Sequence, residues 1–221
     1  MKWLNGWGCR QFAKECHQDA LNQIRAWASR SAEDLPFETK SILQLTDAEI
    51  QRIAAAYDEL KELQASQRRT ARGTVSVRVG ATGAAKILYA MRPHALPPWD
   101  DAIRGRLKCD GSAHSYNRFI QIVTGEIQEL LGDAAVHGVS PEQLPAILGR
   151  GASTLPKIPT PYARLGARKT SETVKLSRFG VRNQFQGRPK LLITRAFRPL
   201  PQILQVGELF RELRRYEFFH R

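Results

Sequence analysis

Apolar residues recur at intervals of three and four through the first 150 positions of this chain, and the period is lost beyond Gly151. Spacing of that kind lays apolar side chains along one face of a helix, and such a face must be buried. The expected fold class is therefore mainly α: a multi-helix domain over residues 1–150, then an irregular basic extension over 151–221 closed by a short helix.

Phe12, Cys16, Ala20, Ile24 and Trp27 predict a first helix from about Arg10 to Ala28, ended by Asp34-Leu35-Pro36. Thr46-Asp47-Ala48-Glu49 has the form of a capping box and predicts a second helix, with Ile50, Ile53, Ala54, Tyr57, Leu60 and Leu63 as its apolar stripe. Gln67 to Gly73 reads as a polar, basic connection, and Thr74 to Val79 alternates as an extended segment does. Gly80-Ala81-Thr82-Gly83 reads as a turn opening a short helix, Ala84 to Met91, which Arg92-Pro93 ends because a residue before proline is pushed out of the helical region. Pro97 and Pro98 stiffen the next link, and Asp100 or Asp101 begins another short helix at the end its dipole favours for a carboxylate. A long helix from about Ser115 to Leu131 is expected to bury Phe119, Ile120, Val123, Ile127 and Leu130, and Ser140-Pro141 opens one more, ending near Gly149.

Charge divides the chain at the same place as periodicity. The net +13 is concentrated beyond Gly151, where 15 Lys and Arg face four Glu and no Asp. High net charge without an apolar period leaves too little burial to offset the entropy of ordering, so this segment reads as disordered, as folding on a partner, or as the product of a shifted reading frame. Its basic residues, among them Arg168, Lys169, Arg178 and Arg182, interleave with Tyr162, Phe179, Phe185 and Phe197. Cations for phosphates and rings for unpaired bases make nucleic acid the expected partner, against a solubilising tail as the plain alternative. Only Val206 to Phe218 regains a helical pattern.

Several function classes find no footing. No apolar run approaches the length of a membrane span, and Met1 to Arg10 lacks the apolar stretch and cleavage site of a secretory leader, so a cytoplasmic location without a membrane partner is expected. Cys9, Cys16 and Cys109 have no paired metal-ligand spacing, and no two of the five histidines stand three or four apart, so no metal and no cofactor is expected. Phosphate-loop, dinucleotide and nucleophile-elbow motifs are missing.

The stretch richest in candidate chemistry is Gly80 to Arg104, GATGAAKILYAMRPHALPPWDDAIR. A glycine turn feeds a helix carrying Lys86, and a proline-stiffened link returns with Trp99-Asp100, so an amine and a carboxylate are brought towards each other at two helix ends. This stretch resembles the helix-hairpin-helix DNA glycosylase superfamily, with Gly80 and Gly83 matching the hairpin, Lys86 the amine, and Pro98-Trp99-Asp100 the proline-x-aspartate step. The resemblance implies excision of a base flipped out of duplex DNA, Lys86 attacking the sugar carbon and Asp100 supporting the transition state. Trp99 would stack on a base, and His94 is a further candidate member of such a site.

The same residues also have an architectural reading. Gly83-Ala84-Ala85 lets a helix pack closely, Asp100 caps a helix, Lys86 lies on a solvated face, and Trp99 anchors a loop to the core. Two classes of function thus stay open: a base-excision enzyme using Lys86 and Asp100, and a non-enzymatic helical protein that binds nucleic acid or a protein partner.

Overall fold

The computed structural model of the chain describes residues 2–7, 9, 11–148 and 153–159. Arg168, Lys169, Arg178, Arg182 and the helix expected over Val206 to Phe218 lie outside the described residues. Within them the fold is mainly α. The helices are α1 (Lys2–Gly6), α2 (His17–Arg30), α3 (Asp47–Glu62), α4 (Gly80–Met91), α5 (Asp101–Leu107), α6 (Ala113–Val136) and α7 (Leu144–Ile147). Between α3 and α4 stands an antiparallel ribbon of two strands, β1 (Gln64–Thr70) and β2 (Gly73–Arg78).

Helix α3 begins where its sequence signature puts it. The Thr46 hydroxyl accepts from the Glu49 amide, and the Glu49 carboxylate accepts from the Thr46 amide, so two early donors are satisfied reciprocally. The stripe of Ile50, Ile53, Ala54, Tyr57 and Leu60 is buried. α3 packs against α4 and α6, and α6 buries Phe119, Ile120, Val123, Ile127 and Leu130, as its spacing predicts.

Several boundaries differ from the sequence reading, and α6 runs on to Val136 where the pattern predicted an end near Leu131. The first long helix starts at His17, with Phe12 buried in the preceding irregular chain. α4 starts at Gly80, because Thr82 and Gly83 continue the helix instead of forming a turn before it. The helix after Ser140-Pro141 is confined to Leu144–Ile147. Gln67 to Gly73 is strand and turn, paired Arg68 with Val75 and Arg69 with Thr74. Packing also continues past Gly151, since Ile158 is buried with Leu130, Ala134, Val139 and Leu144.

Four aromatic rings from three parts of the chain form the middle of the core. Tyr57 of α3 stacks on Tyr116 of α6 with centroids 4.3 Å apart, and Trp99 packs on Tyr116 at 5.2 Å and on Phe119 at 5.1 Å. Each polar tip donates to a carbonyl of irregular backbone or of a helix end: Trp99 Nε1 to Ala81 at 3.1 Å, Tyr57 Oη to Gly111 at 2.9 Å and Tyr116 Oη to Pro97 at 3.2 Å. Large buried rings with satisfied polar tips contribute both apolar area and position. Replacing Trp99 by Ala is expected to lower the unfolding free energy by about 3–5 kcal/mol in urea denaturation, the range for emptying a buried aromatic site.

Half-buried on α6, Glu126 is pushed up to about 7 by burial and by the neighbouring Glu129. The folded state keeps this proton to higher pH than the unfolded chain, so stability falls as pH rises from about 4.5 to about 7. Glu126→Gln should therefore raise the melting temperature at pH 8 and leave it nearly unchanged at pH 4, in thermal melts followed by circular dichroism.

Candidate nucleic-acid interface

Between Glu62 and Asp100 the chain has no acidic residue and six basic ones: Arg68, Arg69, Arg72, Arg78, Lys86 and Arg92. The fold separates them into two environments.

Four lie on the ribbon. Its root is fixed to the helical body: Val79 N donates to Leu63 O at 2.8 Å, Ser66 Oγ to Gln11 O at 2.6 Å, and Gln11 Nε2 to Val79 O at 2.5 Å. Ala65 and Ser66 are buried there, whereas every residue from Gln67 to Ser76 is exposed. A polar ribbon with both outer faces in water cannot be held by a core of its own, so the clamped root supports it. At the tip, Ala71-Arg72 makes the turn, Thr70 Oγ1 donates to Gly73 O at 2.9 Å, and Gly73 takes φ +117°, a conformation costly for other residues. Arg78 pairs with Glu62. Among the described residues, no ion pair engages Arg68, Arg69 or Arg72.

An open groove of about 330 Å³ runs beside the root, lined by Lys61, Glu62, Arg78, Gly80, Ala81 and Asp110 to Ser112. It also borders the start of α6, but that helix end already has its own carboxylate. Asp110 accepts from Ser115 Oγ at 2.6 Å and from Ser112 N at 2.9 Å, and these bonds hold its carboxyl well below the usual range. Lys61 pairs with Asp58 at 2.6 Å.

Lys86 and Arg92 are in the second environment. Lys86 is 5% exposed, so the solvated face expected for it is not found. Its Nζ donates to the Trp7 carbonyl and lies 5.1 Å from the centroid of the Trp7 ring, where the negative face of the indole favours a cation. Tyr89 packs edge-on to Trp7, and Lys157 lies 5.5 Å from the same ring. Cys9 is buried nearby, and burial pushes its thiol up while the Lys86 ammonium pulls the other way. Arg92 Nε donates to Pro36 O at 2.5 Å.

The link between α4 and α5 does fold back on the start of α4, and the carboxylate hydrogen-bonded to α4 there is that of Asp101. Its Oδ1 accepts from Thr82 Oγ1 at 2.8 Å and from Arg104 at 2.5 Å, and hydrogen bonds from Arg104 and then Thr82 hold it below the usual range. Asp100 caps α5, accepting from Ile103 N at 3.0 Å. Trp99 is 1% exposed, its ring among Tyr57, Tyr116 and Phe119, which is the anchoring role. Gly80 begins α4 at φ +68°, following the ribbon, and Gly83 lies within the helix at a close approach, where a Cβ would come within 2.7 Å of Gln11 Nε2. His94 is an exposed loop residue whose carbonyl accepts from Ile42 N at 2.9 Å.

Within the Gly80 to Arg104 stretch the sequence reading gave no role to Thr82 and placed the carboxylate at Asp100 instead of Asp101, and Trp7, outside the stretch, left no signal in sequence. Among the described residues no cluster of metal-ligating side chains is found, and no helix is long and apolar enough to cross a membrane. No family model matches the chain, and neither does any curated protein or solved structure.

Lys86→Met keeps the apolar stem but leaves the Trp7 carbonyl without the ammonium. Removing one partner of a buried hydrogen bond costs about 1–3 kcal/mol, so the variant should melt several degrees lower while retaining its far-ultraviolet circular dichroism.

Proposed function

We propose that this protein binds nucleic acid and holds it without chemical processing. The observation that carries the reading is the arginine ribbon: a clamped root, an exposed two-stranded arm and no acidic residue along its length. Arginines held outward on a supported arm form a site for a polyanion, because each phosphate they neutralise releases condensed counterions. The basic extension from Gly151 adds cations in the same chain and would extend the contact along the backbone.

The base-excision reading asks more of this chain. Lys86 would have to leave the Trp7 carbonyl and ring to reach a sugar carbon, and Asp100 would have to leave the Ile103 amide it caps. A nucleophilic amine also needs its free base within reach of the substrate, whereas Lys86 is 5% exposed.

The full-length protein should bind a labelled 30-base-pair duplex with an affinity that falls linearly in log–log form as salt rises, followed by fluorescence anisotropy. Arg68→Ala, Arg69→Ala and Arg72→Ala together should weaken binding roughly tenfold or more near physiological salt and flatten the slope by roughly 0.9 per lost phosphate contact. Lys86→Met should bind as wild type does. Scission of duplexes carrying damaged bases or an abasic site, lost in Lys86→Met and Asp100→Ala, would replace this reading with the enzymatic one.

A further inference from the structure

Resting on that reading, we infer that the ribbon is a duplex-DNA reader whose Gln67–Arg69–Thr74–Ser76 face enters the major groove. The strand register decides which side chains act together. Cross-strand partners share a face, so Arg69 with Thr74 and Gln67 with Ser76 lie on one side, while Ser66 with Val77 and Arg68 with Val75 lie on the other. The second side is tied to the body through buried Ser66 and half-buried Val77. The first is exposed from Gln67 outward and consists wholly of hydrogen-bonding side chains.

That set of side chains suits base edges. Arginine matches the two acceptors of guanine, glutamine the donor–acceptor pair of adenine, and hydroxyls accept or donate at either. The dimensions agree as well. From Gln67 to Thr70 the exposed part of β1 spans four residues, which at about 3.4 Å each reaches about 14 Å from the body. The B-form major groove is about 12 Å wide and about 8.5 Å deep and admits a two-stranded ribbon. Arg72 at the turn would meet a phosphate at a groove wall, and Arg68, on the side that does not enter the groove, adds positive charge to the arm.

The composition of the arm disfavours the other nucleic acids. Gln64 to Arg78 contains no aromatic residue, so it offers no platform on which unpaired bases stack. In an A-form RNA duplex the major groove is too deep and narrow for side chains to read.

The test measures full-length protein, wild type and the Gln67→Ala/Arg69→Lys variant, by anisotropy on four probes. These are a DNA duplex, the same duplex with glucosylated hydroxymethylcytosines, its single strand, and an RNA duplex. Glucosylation fills the major groove without altering phosphate charge. It should weaken wild-type binding about tenfold, the scale of one good base-edge contact, and the single strand and the RNA duplex should bind more weakly than the DNA duplex. The variant keeps the positive charge at 69, so it should lose most of the sensitivity to glucose while binding the glucosylated duplex as wild type does. Equal binding of both DNA duplexes, a preference for single strand or RNA, or undiminished glucose sensitivity in the variant would overturn the groove assignment and leave nucleic-acid binding standing. No binding to any probe would overturn both.

Discussion

The hydrogen bond from the Trp99 indole to the Ala81 carbonyl, 3.1 Å long, is the contact on which the arrangement of the rest depends. It joins the proline-stiffened link to the first turn of α4 inside the core, and the Trp99 ring is fixed in turn by Tyr57, Tyr116 and Phe119. Because α4 follows the ribbon directly, placing its first turn also places Val79, and Val79 carries two of the bonds that hold the ribbon's root. One buried aromatic thus determines where an arm outside the core stands. Tyr57 extends the same logic, its hydroxyl reaching the Gly111 carbonyl in the turn before α6.

This dependence explains how a polar hairpin persists at all. Beyond Ser66 and half-buried Val77 the ribbon is exposed, and two strands alone are marginal in water. Its geometry is borrowed from the helical body. A supported arm loses less conformational entropy on meeting a ligand than a free one, so more of the contact energy appears as affinity.

How much was legible in sequence follows from which physical signal each element carries. The helices declare themselves through apolar period and caps: Thr46 with Glu49 and Asp100 before α5 form local bonds that depend on few other residues, whereas the Ser112 cap of α6 is seen only in the fold. β1 is silent, because alternation arises when one face of a strand is buried, and QRRT has neither face buried. Lys86 misleads for a related reason. α4 buries Gly83 to Leu88 and Ala90, so it lacks the polar face on which a lysine would ordinarily sit. The carbonyl and ring that compensate its burial come from Trp7, 79 positions away. A partner so distant in sequence leaves no spacing to read. The proline link was legible as stiff, but which of Asp100 and Asp101 turns towards α4 depends on the cap geometry of α5.

The separation of Lys86 from Arg68, Arg69 and Arg72 is the most informative feature of the charge distribution. An ammonium in the interior is tolerable only when paired, and Lys86 meets a carbonyl and an indole face. The three ribbon arginines have the opposite situation, exposed and with no carboxylate on the arm to balance them. Protection of an edge strand against pairing with another chain accounts for a charge on each strand. It does not account for the lack of any acidic residue between Glu62 and Asp100, since a mixture of signs would protect an edge equally well and repel itself less. One sign of charge, presented on a braced arm in the planar, forked form of arginine, is the arrangement that a phosphate-bearing ligand rewards.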